Sequence, residues 1–219
     1  MDPQTALQRA ETLMLDMDGT LLDLAFDNYI WRQLVPERYA EKNGMTFSAA
    51  RDHLFDQYRS VHGDLEWYCL DHWCDRLDID VVQLHRDVDH RIGYLPGATD
   101  FLHAMQQRNC RVLLVTNSHP DTLALKDEAT GLGQYFDGMF SSHNYGHAKE
   151  SQSFWHALRE HVDFDLETTL FVDDSQPVLQ SAGDYGVKML VTITRPDTTL
   201  PVRDDTKFAG VESVADMLP

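Results

Sequence analysis

The feature that most restricts the fold is the stretch Leu13-Met14-Leu15-Asp16-Met17-Asp18-Gly19-Thr20-Leu21-Leu22, where a short apolar run ends on two carboxylates separated by one residue. A continuous apolar run of this length suits a strand buried on both faces, as in a parallel sheet. Asp16 then lies at the strand's C-terminal end, where open α/β sheets hold their ligands. Alternate residues of extended backbone share a face, so Asp16 and Asp18 converge on one spot. Gly19 permits a sharp departure of the chain. Asp18-Gly19 between apolar runs is also a hairpin signature. An apolar strand that closes on an unpaired acid nevertheless points to a working site rather than a plain turn.

After Thr20 the periodicity becomes helical and stays so from Ala25 to about Arg91. Phe26, Tyr29, Ile30 and Leu34 mark one apolar face. Thr46 caps a second helix starting at Phe47, with Leu54, Phe55 and Tyr58 inward. Trp67, Leu70, Cys74 and Leu77 mark a third, and Asp80 caps a fourth carrying Val81, Leu84, Val88 and Ile92. The expectation is a helical bundle, residues 25–91, inserted into a core made of residues 1–24 and 92–219.

Pro96-Gly97 opens the return to an α/β pattern. A helix (Phe101, Leu102, Met105) leads to a strand from Val112 to Val115 that ends in Thr116-Asn117-Ser118. A helix from about Asp121 stops at Gly131, a C′ glycine. Phe140 closes a short strand, and a loop carries the chain to Lys149 and a helix holding Phe154, Trp155, Leu158 and Val162. Leu170 to Val172 form a strand ending on Asp173-Asp174. A helix beyond Pro177 ends near Gly186, and Val187 to Val191 form the final strand. Alternation of this kind implies a doubly wound parallel sheet with right-handed crossovers.

Charge and cysteine usage narrow the partners. The net charge of −18 argues against a nucleic-acid backbone or an anionic membrane as partner. It is compatible with a phosphorylated small molecule, because a metal and one lysine reverse the field locally. Cys69, Cys74 and Cys110 have no Cys-x-x-Cys spacing and read as reduced packing residues, not a zinc site or a disulfide frame. The first residues carry no apolar leader core, and no run reaches membrane-spanning length, so the expected location is the cytoplasm.

Three apolar strands thus end on polar residues, Asp16, Thr116 and Asp173-Asp174, and a parallel sheet brings such ends to one edge. Lys149, ahead of a helix in the same alternation, is the one cation well placed to join them. Adjacent carboxylates beside Asp16 and Asp18 repel unless something neutralises them. Oxygen-only donors suit a hard ion such as Mg²⁺.

The order Asp-x-Asp-Gly-Thr, Thr, Lys, Asp-Asp resembles the four motifs of the haloacid dehalogenase (HAD) superfamily, a resemblance spanning Leu13 to Asp174. It implies a Rossmann-like core with a C1-type helical cap that closes over the site and selects the leaving group. It also implies a phosphohydrolase in which Asp16 attacks phosphorus and Asp18 serves as acid and then base. Thr116, Lys149 and, more weakly, Asn117 would hold phosphoryl oxygens. Mg²⁺ would be held by Asp16, the main-chain carbonyl of Asp18, and Asp174, with Asp173 orienting its water ligands.

Within the superfamily, Leu21 to Trp31, Trp67-Tyr68-Cys69-Leu70-Asp71, Thr116-Asn117-Ser118-His119-Pro120 and Lys149-Glu150 resemble the bacterial GMP/IMP 5′-nucleotidase branch. That resemblance implies a purine 5′-monophosphate as the small-molecule substrate. Phe26, Tyr29, Trp31, Trp67, Tyr68 and Trp73 offer faces for the base, and Asp27 or Asp71 could accept the proton on its N1. His143 and His147 fall in a loop and suggest no metal role. Other readings remain: a phosphatase or mutase acting on phosphoglycolate or a sugar phosphate, and a phosphoacceptor or binding domain. Dehalogenase chemistry is disfavoured, since it requires neither Asp18 nor the Asp173-Asp174 pair.

Overall fold

The computed structural model describes all of residues 1–219. Six parallel strands form one sheet in the order β3-β2-β1-β4-β5-β6. They are β1 (Thr12–Leu15), β2 (Arg111–Thr116), β3 (Gly138–Ser141), β4 (Thr169–Asp173), β5 (Met189–Ile193) and β6 (Ala209–Val211). Leu15 of β1 is level with Leu114 of β2 on one side and Val172 of β4 on the other. The central position of β1 therefore sets Asp16 between the ends of β2 and β4.

Alternate strand residues face opposite layers, as strand geometry requires. Leu13, Leu15, Leu114, Leu170 and Val172 pack with α1 (Pro3–Arg9) and α8 (Ala98–Gln106). Met14, Leu113, Val115 and Phe171 pack on α10 (Gln152–His161) and α11 (Gln176–Tyr185). The helix α9 (Pro120–Thr130) runs from the end of β2 and stops at Gly131, whose φ of +67° is the left-handed conformation glycine adopts freely.

The segment between β1 and β2 begins with a helical bundle. Helix α2 (Ala25–Tyr29) runs through a wider π turn at Ile30–Leu34 into α3 (Val35–Asn43). Then come α4 (Phe47–Ser60), α5 (Leu65–Tyr68), α6 (Leu70–Leu77) and α7 (Val81–Asp87). The bundle has its own apolar centre, in which Phe26, Ile30, Leu54, Tyr58, Trp73 and Leu84 are buried together. Its two connections to the sheet run side by side, with Asp23 N–H donating to Gly93 C=O at 2.9 Å.

Four details differ from the sequence expectation. The third bundle helix is two helices, because Cys69 has extended backbone (φ −86°, ψ 112°) and its sulfur accepts the His72 N–H. The fourth stops at Asp87, and Asp89–Arg91 form a tighter 3₁₀ turn. The strand expected at Val187–Val191 starts at Met189, since Val187 N–H is still bonded to Ala182 C=O of the preceding helix, and a sixth strand follows it. The N-terminus folds as α1, started by Asp2, whose carboxylate accepts from Thr5 N–H at 2.9 Å, and by Pro3 in the first turn. No helix is long and apolar enough to cross a membrane.

Candidate active site

Beyond β1 the chain turns on itself at the sheet edge. Met17 C=O accepts from the N–H groups of Leu21 and Leu22, both at 2.9 Å, which swings the chain away just past Asp16. The turn is not a strand hairpin: Leu22 bridges Tyr94, on the chain's return from the bundle. Gly19 has φ +82°, and a Cβ there would stand 2.9 Å from Asp174 Cγ and 2.9 Å from Pro196 Cβ. Glycine is required because the Asp174 carboxyl lies directly against this turn.

Asp16, Thr116, Lys149, Asp173 and Asp174 meet where β1, β2 and β4 end. The Lys149 ammonium is buried and donates to Asp16 Oδ1 at 2.5 Å, Asp173 Oδ2 at 2.7 Å and Val115 C=O at 3.0 Å. Its backbone is held from both sides. Lys149 N–H donates to Asn117 Oδ1 at 2.9 Å, and Trp155 Nε1–H donates to Lys149 C=O at 2.9 Å. Asn117 also donates to Glu150 at 3.0 Å, and Glu150 accepts from the Tyr68 hydroxyl of the bundle at 2.6 Å. The Thr116 hydroxyl oxygen accepts Ser118 N–H at 3.0 Å.

A second lysine, absent from the sequence expectation, completes the arrangement and corrects the reading of Lys149 as the only well-placed cation. Lys126 of α9 is buried, with its ammonium 2.6 Å from Asp18 Oδ1 and 2.8 Å from both oxygens of Asp27. Burial alone would lower the pKa of either lysine, but the facing carboxylates overcome this and raise both above the ordinary lysine value.

The acids are under the opposite pressure. Burial pushes Asp16 well above the usual carboxylate range, Lys149 pulls it back, and the neighbouring acids push it further. Burial raises Asp18 to about 6 against the pull of Lys126. Burial and then the charge of Asp173 raise Asp174 to about 7. One oxygen from each of Asp16, Asp173 and Asp174 lies within 4.8 Å of the others, an all-oxygen donor set that suits a hard divalent cation. Asp173 is otherwise committed, to Lys149 and to Ser175 N–H at 2.8 Å. Asp174 is touched by Arg203, whose Nη1 donates to its side chain at 3.2 Å.

Above these groups lies a cavity of about 760 Å³ between the sheet edge and the bundle. Trp31, Trp67, Tyr68 and Trp73 line it as expected, whereas Phe26 belongs to the bundle's apolar centre and Tyr29 lies beneath the Arg91 guanidinium at 4.0 Å. Of the two acids expected to meet a base, Asp27 lines the cavity and Asp71 does not. Asp27 is turned to Lys126 at the catalytic end, and Asp71 lies outside the cavity, 3.7 Å from His119. The charged groups on the bundle side of the cavity are Asp27, Arg32 and Arg59, and His62 lines the same side.

A family model of haloacid dehalogenase-like hydrolases matches residues 10–186, a span that contains every residue of this cluster except Arg203. The chain belongs to the haloacid dehalogenase-like hydrolase family. It is 38% identical over 214 residues to the GMP/IMP nucleotidase YrfG of Escherichia coli (strain K12), an alignment covering 98% of this chain and 96% of the relative. The pyrimidine 5′-nucleotidase YjjG of the same strain is 26% identical over 182 residues, covering 74% and 76%. Among solved structures, the fold is similar to a HAD phosphatase from Thermococcus onnurineus, with TM-score 0.78, 18% identity and coverage of 94% and 95%. It is also similar to L-2-haloacid dehalogenase from Xanthobacter autotrophicus, with TM-score 0.64, 15% identity and coverage of 95% and 96%.

For this HAD-like hydrolase, the cluster's missed members are hidden in the sequence for different reasons. Lys126 sits four residues after Thr122 on α9 and both are buried, but α9 has no clear apolar face in sequence that would mark them as inward. Arg203 lies in irregular chain and has no periodic context that would mark it.

Proposed function

We propose that this HAD-like hydrolase is a Mg²⁺-dependent phosphomonoesterase that acts on purine nucleoside 5′-monophosphates. The observation that carries the chemistry is the buried Asp16–Lys149–Asp173 cluster with Asp174 beside it, at the floor of a cavity sized for a small metabolite. Asp16 attacks phosphorus and the bond to the leaving oxygen breaks, which splits hydrolysis into transfer and release. Asp18 donates a proton to the leaving oxygen, then takes one from the water that cleaves the aspartyl-phosphate. Lys149, 2.5 Å from Asp16, counters the rise that burial imposes on that carboxyl and offsets charge on the phosphoryl oxygens during transfer, with Thr116 as a further contact. Asn117 holds the Lys149 backbone in place. Asp16, Asp174 and the Asp18 carbonyl would hold Mg²⁺, which when bound screens the phosphate from the carboxylates.

Selectivity falls to the cap, residues 25–91, because the phosphate end recognises only the phosphoryl group. GMP and IMP present two acceptors, O6 and N7, on one edge, a pattern that an arginine fork pairs with in bidentate fashion. Arg32 and Arg59 on the cap side fit that edge, and the 6-amino group of AMP would meet them donor to donor. Discrimination by such unpaired groups reaches up to ~10⁴-fold in well-built sites.

The test compares kcat/KM for GMP, IMP, AMP, ribose 5-phosphate and phosphoglycolate, each with Mg²⁺ and with chelator. GMP and IMP should lead, and chelator should abolish all turnover. Equal values for AMP and IMP, or a lead for either non-nucleotide, would defeat the nucleotide reading and leave the phosphatase chemistry standing.

A further inference from the structure

One cluster of soft donors takes no step in that chemistry, although His119 also lines the cavity. Cys69 occupies the break between α5 and α6, His119 the start of α9, and His143 the turn after β3. The cysteine sulfur and one ring nitrogen of each histidine all lie within 4.8 Å of one another. The two imidazoles meet edge to face with centroids 4.9 Å apart. His143 Nε2 is sealed from solvent and has no hydrogen-bond partner, a state that buried polar atoms seldom occupy without a ligand to explain it. Cys69 is a free thiol. The Asp71 carboxylate stands 3.7 Å from His119 Nε2 and adds negative charge at the rim.

We propose that Cys69, His119 and His143 form a site for a divalent cation of the Zn²⁺ class, distinct from the carboxylate site of the reaction. A thiolate and two imidazoles are the donors that borderline-soft ions select, and a hard ion such as Mg²⁺ disfavours them. An ion of this class sits about 2.3 Å from sulfur and about 2.0–2.1 Å from imidazole nitrogen. Binding forms the sulfur–metal bond as the Cys69 S–H bond breaks, and the proton passes to solvent. Cys69 belongs to the helical bundle, and both histidines follow strands of the sheet. A bound ion therefore ties the bundle to the sheet beside Tyr68, whose hydroxyl already reaches Glu150. The site acts as a fastening between the two parts.

The test titrates the full-length, Mg²⁺-saturated protein with Co²⁺ under reducing, anaerobic conditions and reads the near-ultraviolet thiolate-to-cobalt charge-transfer band. Cobalt among carboxylates gives no such band, so the reading is specific to the thiol. One equivalent should saturate the band, and Zn²⁺ should bleach it. Cys69→Ser should lose it, His143→Gln should weaken binding at least tenfold, and Cys74→Ser and Cys110→Ser should leave it unchanged. Zn²⁺ should also protect Cys69, but not Cys110, from alkylation in the unmutated protein, a readout that needs no variant to fold. No charge-transfer band in the unmutated protein, a band that persists in Cys69→Ser, or alkylation of Cys69 indifferent to Zn²⁺ would each overturn the proposal.

Discussion

Two buried lysines stand at the sheet edge, and their partners separate them. Lys149 joins Asp16 and Asp173, both from the ends of central strands, and its own backbone is clamped by Asn117 and Trp155. Lys126 joins Asp18 of the sheet-edge turn to Asp27 of the helical bundle. The charge partners of the first lysine all belong to the sheet, and it meets the bundle only through its backbone, by way of Asn117, Glu150 and Tyr68. The second spans the two parts, so the position of the bundle is felt at Asp18. Chemistry common to all substrates would rest on the first cluster, and response to the leaving group on the second.

The largest effect should come from the first cluster. Asp16→Asn removes the proposed nucleophile and a metal ligand together, and should lower kcat by at least ~10⁴-fold, the scale of a lost nucleophile. Circular dichroism should show that it remains folded. Substantial turnover by folded Asp16→Asn would break the comparison at its base. Asp18→Asn, in the second cluster, should cost roughly 10²–10⁴-fold if its role is acid–base transfer.

The lysines themselves sharpen the contrast. Lys149→Met should reduce kcat by roughly 10²–10³-fold for every monoester, as expected for a lost transition-state charge contact. Lys126→Met should reduce kcat/KM for nucleotides by about tenfold, the scale of one charged hydrogen bond. It should have little effect on p-nitrophenyl phosphate, whose leaving group departs without a proton. Equal losses for both substrates in Lys126→Met would show that the two lysines do one job.

A further effect is read in stability, at a residue that also lines the cavity. His85 of α7 is buried, its Nδ1–H donates to Val81 C=O at 2.7 Å, and burial lowers its pKa to about 4 from the ordinary 6.5. Its unfolded form binds a proton first, so its contribution is intact above about pH 6.5 and is lost as the pH falls toward 4. Urea midpoints for His85→Phe should fall less steeply over that window than those of the unmutated protein, by up to about 3 kcal/mol in total. Parallel acid profiles would remove His85 from the account.

How much of this was legible in the sequence follows from how local each determinant is. The strand ends announced themselves, because Leu13–Leu15 and Leu170–Val172 are apolar runs that stop on acids, and a parallel sheet then aligns those acids. Cap starts at Thr46 and Asp80 were legible for the same reason, a side chain bonding a few residues ahead. Lys126 was hidden because a lysine in a helix ordinarily faces water, and only the fold brings Asp18 and Asp27 to it. The break at Cys69 was hidden because Trp67, Leu70, Cys74 and Leu77 keep helical spacing across it. The ion pair of Asp27 with Lys126 was hidden because the partner comes from a distant helix, and the place of Asp71 outside the cavity was hidden as well.

The central claim is that Asp16 carries the phosphoryl group between the two half-reactions. Its most direct measurement is peptide mapping by mass spectrometry after rapid acid quench of the enzyme mixed with GMP and Mg²⁺. Asp18→Asn serves to slow release and let the intermediate accumulate. The account predicts a phosphoryl group on the peptide containing Asp16, absent when chelator replaces Mg²⁺ and absent in Asp16→Asn. Turnover of GMP with no phosphoryl group on that peptide, or with one on a different residue, would contradict it.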